Sequence, residues 1–491
     1  MKEGQDMAGT APSRKDEWTF RAYLAELDRR GELATVAAPV HEDPFGISAC
    51  LSALHQGPAL HFTHPGPTGL TVAGNLLNSI DRVGLGLRLD RGALPAAIAS
   101  AIGRPLRPRE VARGACQEVE MEPDLGLLPI PRFFEHETGP YITAGCIVAR
   151  DSRTGLGNLS YARLKPLGPD RALVGIAPNH HLAVMARAAA ARGERLPIAV
   201  TIGNHPVVLV AAALYLKLGE DEMEVAGALQ GAPVGVVRCR TSDLLVPADC
   251  EVVIEGEIEV GETVEEGPVS EYHGMYERYG AGHVVRITAI TRRRDAIFQV
   301  IEPGFHIEHL LIGGVAIAAG LEQHLKGFVP AVERVSVLDS GCGRLSAVVV
   351  LGPDRKPGDP VKAIMGALSA VNLIKQVTVV DNDIDPWDEF QVQYAVATRM
   401  RADRDIVVVP GARTDRSEPM KLGGTIAKYG FDATRHAEDR DDWTPARAPA
   451  AALPTQPEGC SRGGPMVFRK AASWISTRCS CPGFSSPSRS P

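Results

Sequence analysis

Tyr141–Arg150 reads YITAGCIVAR, Asp151–Gly155 reads DSRTG, and Gly155–Arg163 reads GLGNLSYAR. Apolar, β-branched and aromatic residues on either side of an Asp/Ser/Gly turn predict a β-hairpin over 141–164. Working outward, Ala199–Ile202, Val234–Val237, Glu251–Val260 and Val284–Ile290 also have strand composition. EVVIEGEIE at Glu251–Glu259 partly alternates polar and apolar residues, as a half-buried strand does. Helical segments interrupt them at His181–Ala191 and Glu222–Leu229. Many short strands with few long helices predict a barrel or sandwich of mostly antiparallel strands over 113–309.

On the N-terminal side, 18–112 reads as a small α/β domain. Trp18–Leu33 has apolar residues at helical spacing and a Gly31 stop, followed by strands Ala59–Phe62 and Thr71–Gly74 and a small-residue helix Leu94–Ile102. Gly84 and Gly86 lack a third glycine and a preceding strand, which excludes a dinucleotide fingerprint there. On the other side, Leu310–Leu325 is apolar almost all round and predicts a buried linking helix within 310–330. Val332–Asp339, Ala347–Leu351, Val361–Asn372, Val377–Val380 and Glu389–Arg401 then alternate strand and helix, predicting an α/β domain over 331–434. Residues 1–17 and the Pro/Ser/Gly/Arg-rich 435–491 show no core-forming period and are expected to be disordered. The fold class is therefore mixed, α+β with α/β parts.

Among 491 residues, 44% are hydrophobic and 23% charged, an ordinary balance for a globular protein. The net charge of −7 gives no nucleic-acid or membrane footprint. The longest apolar runs, Val207–Leu216 and Leu310–Leu321, fall short of the roughly 20 residues that span a bilayer. The polar N-terminus lacks an apolar signal core, so a cytoplasmic location is expected. Cys50, Cys116, Cys146, Cys239, Cys250 and Cys342 are scattered without metal spacing and read as reduced residues. Cys460, Cys479 and Cys481 crowd into the tail.

Chemistry concentrates in two places. Val264–Tyr276 reads VEEGPVSEYHGMY, with Glu266 and Glu271 on either side of the turn signal Gly267-Pro268. In the hairpin, Arg163 follows Asn158, Ser160 and Tyr161. Two carboxylates and an arginine that converge in a dry pocket can hold an anion and deliver a proton to it. Taken singly, each stretch reads equally as charged residues on exposed hairpin ends. Asn158, the His180-His181 pair and the acidic run Glu220-Asp221-Glu222-Met223-Glu224 could together offer a mixed N/O site for Mn²⁺ or Mg²⁺. Individually they read as a strand residue, a helix end and a solvated helix N-terminus.

The order of these segments is specific. Tyr141-Ile142-Thr143, then G-N-x-S-x-x-R, the histidine, D-E-x-x-x-A-G-A-L and E-G-P-x-x-E-Y-H-G follow one another. Asp381-Asn382-Asp383-Ile384-Asp385-Pro386 and Lys428-Tyr429-Gly430-Phe431-Asp432-Ala433-Thr434 come later. In this order, over roughly 18–434, the chain resembles the UbiD-like decarboxylases, lyases that use prenylated FMN. The resemblance implies a small α/β domain, a split β-barrel like that of flavin reductases, and a C-terminal α/β domain used in oligomerisation. It implies Asn158, His181 and Glu222 as ligands of the metal held against the cofactor phosphate. Thr143, the Ser160–Tyr161–Ala162 backbone, Arg163 and Lys428 (or the nearby Lys421) would contact the flavin or its phosphate. Arg163, Glu266 and Glu271 would form a Glu–Arg–Glu network with Glu271 as proton donor.

The implied partners are a small carboxylic acid, a separate prenyltransferase that supplies the flavin, and further copies of the chain as a homodimer or larger homo-oligomer. K⁺ is a further implied ion. Two departures stand out: Asn382 where aspartate is usual, and Val269-Ser270 where Phe-Gly is common. Tyr272-His273-Gly274-Met275-Tyr276 and Phe305-His306 are expected to line an aromatic or heteroaromatic substrate pocket. The Glu271–Gly327 region resembles most the members acting on furan or similar heteroaryl acids, with phenolic, acrylic and polyketide-derived unsaturated acids also open. The rival readings are an FMN-dependent reductase, a non-catalytic flavin-binding protein and a metal hydrolase. No nicotinamide site and no H-E-x-x-H spacing is visible for the first and last of these.

Overall fold

The hairpin forms in the computed structural model: Cys146–Arg150 pairs antiparallel with Gly157–Tyr161, setting Ala149 opposite Asn158 and Ile147 opposite Ser160. Because side chains alternate along a strand, Asn158 and Ser160 share one face while Leu159 points into the core behind. The structure describes residues 18–40, 43–66, 68–436 and 443. The expected disorder of 1–17 and of nearly all of 435–491 falls outside the described residues. Contacts divide the chain after Arg435, and every element of the fold lies in the unit that ends there among the described residues.

The hairpin belongs to an eight-stranded antiparallel sheet. Leu196–Ile202 joins it to Val252–Glu265, which pairs in turn with Ala281–Arg292; Arg171–Val174 and Leu164–Pro166 end the run, and the eighth strand, Val119–Met121, pairs with Ala281–Arg292. An Ile142–Leu164 bridge ties the two ends of the sheet together, giving a half-closed barrel. Val252–Glu265 outruns the expected strand because its first seven residues are mostly buried and its last are solvated. The polar extension carries no hydrophobic signal, and its register breaks between Ile258 and Thr263. It delivers Glu266 to the turn.

The first helix is shorter than expected, Phe20–Arg29, since Leu33 already starts a strand after Gly31 turns at φ +70°. That strand, Ala59–Phe62, Thr71–Gly74 and the distant Ile297–Gln299 make a four-stranded sheet. Gly84 and Gly86 lie inside a helix, Ile80–Leu87. A Cβ on Gly86 would stand 2.5 Å from Cβ of Pro206, so this glycine permits close packing on the helix Pro206–Ala212.

The linking helix runs Ile307–Lys326, three residues longer at its start than the apolar pattern indicates. Its first turn is polar: His306 caps it, accepting from Glu308 N at 3.3 Å. Glu308, fully buried, accepts from Leu76 N and Leu77 N at 2.9 Å each, which fastens the helix to the N-terminal part of the chain. The helix also packs on Leu94–Ile102 and on Val332–Val337. The latter strand opens a five-stranded mixed sheet. Two of its strands, Ile406–Arg413 and Thr425–Asp432, are not legible from hydrophobicity, because they are half-exposed and carry Arg413, Lys428 and Asp432. Around the Asp381–Pro386 segment, Asp381 pairs with Arg355 and Arg399, and Asp383 with Arg399. Asn382 meanwhile reaches Glu333 on the surface.

The six described cysteines are free thiols, four of them buried. Among the described residues, no helix is long and apolar enough to cross a membrane.

Candidate active site

A cavity of about 440 Å³ gathers residues from the hairpin, the helix starts at His181 and Glu222, the 270–271 loop, the linking helix and the C-terminal part. Its volume suits a small-molecule ligand. Thr143, Asn158, Ser160, Tyr161, Ala162, Arg163, His181, Glu222 and Glu271 all line it. Glu266 stands directly behind Arg163 and Lys428 stands elsewhere.

Arg163 donates from Nε to Glu266 Oε1 at 2.6 Å and from Nη2 to Oε2 at 2.8 Å, a two-pronged pair. Glu266 is 2% exposed. Burial alone would lower the Arg163 guanidinium, but the Glu266 hydrogen bonds and charge raise it net. The pair requires Gly175: a Cβ there would meet Glu266 Oε2 at 3.0 Å and Arg163 Nη2 at 3.3 Å. Lys165 Nζ also donates to the Glu266 carbonyl at 3.2 Å. Arg163 is thus held from behind, with its outer edge on the cavity.

Glu271 begins a tight turn closed by Gly274 N donating to its carbonyl at 2.8 Å. Its Oε1 accepts from Tyr272 N at 3.0 Å, and Tyr279 OH donates to Oε2 at 2.5 Å. The Tyr279 ring lies under two guanidiniums, Arg163 at 5.7 Å and Arg416 at 4.2 Å from Cζ to centroid. One tyrosine therefore orients the candidate acid and braces the candidate anion holder. Ser270, the departure beside Glu271, lines the cavity, and its N–H donates to Glu137 Oε1 at 3.2 Å.

The candidate cation ligands share the cavity. Asn158 Nδ2 donates to Ser160 Oγ at 2.8 Å, which leaves the amide oxygen to serve as a ligand. Glu222 is buried as the first residue of its helix, while Asp221 caps that helix by accepting from Met223 N. The acidic run is thus part solvated cap and part site. Burial pushes the Glu222 carboxyl up to about 7, against a hydrogen bond from Leu159 N at 2.9 Å. No lysine or arginine pairs with it among the described residues. A buried carboxylate without a cationic side chain, lining one cavity with a free amide oxygen and a histidine, offers donors of the kind a hard divalent ion takes. His180 also lines the cavity, and its buried Nδ1 has no partner among the described residues.

Lys428 corrects one expectation. Its buried ammonium donates to Leu368 O, Val371 O and Asn372 O at 3.0, 3.2 and 3.1 Å, capping the end of the helix Asp359–Ala370. With three carbonyl acceptors for its three protons, it has none left for a phosphate. Lys421 lies outside the cavity as well, donating to Glu418 O. The expected aromatic lining also falls elsewhere. Tyr272 donates to Ser417 O at 3.2 Å, and Met275, Tyr276 and Phe305 are exposed. His306 is a helix cap.

Tyr279, His309, Arg344 and Arg416 carry no signal in the motifs. Tyr279 stands eight residues after Glu271, just beyond the motif. The other three come from more distant segments, and an arginine or histidine outside a motif looks like any surface residue. The His309 ring binds Gly304 O through Nδ1 at 2.9 Å, and burial and Arg344 push it down to about 4, leaving it neutral.

Family models match nearly all of the described chain. The N-terminal domain of 3-octaprenyl-4-hydroxybenzoate carboxy-lyase matches residues 24–102, its Rift-related domain 109–306 and its C-terminal domain 310–433. The anhydromevalonate phosphate decarboxylase of Methanothermobacter thermautotrophicus is 35% identical over 83% of this chain and 95% of its own. The phenolic acid decarboxylase of Bacillus subtilis is 31% identical over 84% and 92%. The UbiD-class enzyme HmfF from Pelotomaculum thermopropionicum, solved with FMN, superposes with a TM-score of 0.83 at 34% identity over 88% of this chain and 98% of that one. An evolved dimeric form of HmfF, in complex with prFMN, gives a TM-score of 0.80. With its three family regions in order and its cavity lined by the motif residues, the chain belongs to the UbiD family of prenylated-FMN-dependent decarboxylases and is a carboxy-lyase.

Proposed function

We propose that this carboxy-lyase reversibly removes CO₂ from an aromatic, heteroaromatic or α,β-unsaturated carboxylic acid, with Arg163 holding the carboxylate, Glu266 fixing Arg163 and Glu271 delivering the proton. The observation that carries the reading is the Arg163–Glu266 pair set behind a cavity that Glu271 also lines. Loss of CO₂ from an sp² carbon leaves an electron pair with no stabilising orbital, and prenylated FMN, when bound, supplies the electron sink. Arg163 fixes the departing carboxylate at a known place. Glu271, oriented by Tyr279, stands in the same cavity to protonate the carbon that carried it.

Thr143, the Ser160–Ala162 backbone and Arg163 would hold the flavin. Asn158, His181 and Glu222 would hold Mn²⁺ or Mg²⁺ against its phosphate, with K⁺ as a further ion. Lys428 has no part in this site. The cofactor requires a prenyltransferase to supply it. The reading further includes a cytoplasmic location and a homodimer or higher homo-oligomer, in keeping with the evolved dimeric form of HmfF. Its test is turnover: enzyme reconstituted with prenylated FMN and Mn²⁺ is incubated with a panel of phenolic, furoic, acrylic and longer unsaturated acids. Release of CO₂ from at least one is expected. A silent panel, together with oxidation of reduced nicotinamide by the same holoenzyme, would favour a reductase instead.

A further inference from the structure

Arg344 is built into the cavity with more care than a surface arginine needs. It approaches the linking helix so closely that a Cβ on Gly313 would stand 2.1 Å from its Cζ. Its Nη1 donates to Leu310 O at 3.2 Å and Gly343 O at 2.9 Å, and its Cζ lies 5.9 Å from the Tyr272 ring centroid. Gly343 itself sits at φ +60°, where a Cβ would strike Leu310 O at 2.5 Å. Two glycines thus open the space in which this guanidinium lies flat across the helix, half-buried, lining the cavity. Arg416 lines it too, anchored on Tyr279. Among the described residues no carboxylate pairs with either arginine. Arg163, by contrast, is already matched by Glu266.

On the reading that the cavity takes an acid for decarboxylation, we infer that Arg344, assisted by Arg416, is a clamp for a second anionic group, and that the substrate is a dianionic unsaturated acid. One carboxylate faces Arg163 and departs as CO₂; the second acidic group stays on the product, bound at Arg344. The charges agree. Arg163 is matched by Glu266, so Arg344 and Arg416 are left as cationic groups without a paired carboxylate among the described residues, a surplus suited to a second anionic group. A fixed guanidinium with Nη2 and Nε uncommitted offers the paired donors that a carboxylate or a phosphate accepts. His309, beside Arg344 and neutral, adds no competing charge.

The test compares matched acids that differ only in the second group: muconate with sorbate, terephthalate with 4-methylbenzoate, and a phosphomonoester of hydroxycrotonate with hydroxycrotonate. The first two pairs report a second carboxylate and the third a phosphate. Dissociation constants are measured by calorimetry on the protein with and without prenylated FMN, and kcat/KM wherever CO₂ is released. In at least one pair the dianion should be favoured by about tenfold or more, as expected for a charge-assisted hydrogen bond. Arg344→Met should collapse that ratio, Arg344→Lys should keep part of it, and Gly313→Ala, which displaces the guanidinium without removing its charge, should lose it too. Monoacids bound as tightly as dianions in every pair, or a dianion preference untouched in Arg344→Met, would overturn the inference. Tight, Arg344-dependent binding of dianions with no CO₂ release from any acid would leave the clamp standing and sink the decarboxylation reading instead.

Discussion

Replacing Glu266 by Gln tests whether Arg163 works as a held group. Glutamine preserves volume but has one oxygen and one NH₂, so only one of the two guanidinium bonds, 2.6 and 2.8 Å in the parent, can be kept. The other donor would face the amide nitrogen. The surviving bond becomes neutral at its acceptor, where a charge-assisted bond contributes about 1.5–3 kcal/mol and an ordinary one about 0.5–1.5. Arg163 keeps 26% exposure, so water compensates part of the loss. The net weakening is about 2–3 kcal/mol, which lowers kcat/KM by roughly 30- to 150-fold if correct placement of the carboxylate requires the pair. The assay is steady-state CO₂ release with the best acid of the panel, alongside flavin absorbance to verify loading. Flavin content should stay near the parent level, because Glu266 does not line the cavity. Activity within threefold of the parent, at equal loading, would refute the idea that Glu266 positions Arg163.

Other expectations follow from the same geometry. Tyr279→Phe keeps the ring beneath Arg163 and Arg416 but removes the donor to Glu271; kcat should fall about tenfold with flavin retained, and an unchanged kcat would deny Tyr279 its orienting role. Glu222→Ala should lower both the metal and the flavin content of the purified protein, measured by elemental analysis and absorbance. Full retention of both would point to Glu220 or Glu224. Burial pushes Glu308 up to about 7 from an ordinary 4.5, so the folded chain keeps a proton that the unfolded chain has released. Stability from this group is therefore complete below pH 4.5, declines as pH rises to about 7, and is flat above, a loss on the order of 3 kcal/mol at most. Glu302, also pushed up to about 7 by burial, adds to the same slope. Urea midpoints at pH 5 and 8 should differ less in Glu308→Gln than in the parent; equal differences would contradict the assignment.

The barrel was legible because its hairpin joins two largely buried strands of apolar, β-branched and aromatic residues through a turn of small and polar ones. The helices at His181 and Glu222 and the linking helix were legible for the same reason, as apolar period shows burial. The last two strands of the C-terminal sheet were not, since half-exposed strands mix Arg, Lys and Asp with valines. In the site, Asn158, Arg163, Glu222, Glu266 and Glu271 could be named because they stand in ordered motifs. Lys428 shows the converse: a lysine in a motif can be fully committed to capping a helix. Arg344 and Arg416 were invisible, because what makes them part of the cavity is the space left by glycines and a ring far away in sequence.

Glu271→Gln tests the central claim most directly. Glutamine keeps the shape, and its single oxygen can still accept from Tyr279 or from Tyr272 N, but it cannot supply a proton. The flavin is to be held by other segments, so its occupancy and spectrum should be nearly unchanged. Decarboxylation should fall by at least roughly 10²-fold, the usual loss for a general acid–base group, and solvent hydrogen exchange at the product carbon should fail with it. A fully loaded Glu271→Gln enzyme that releases CO₂ and exchanges hydrogen at the parent rate would contradict the account.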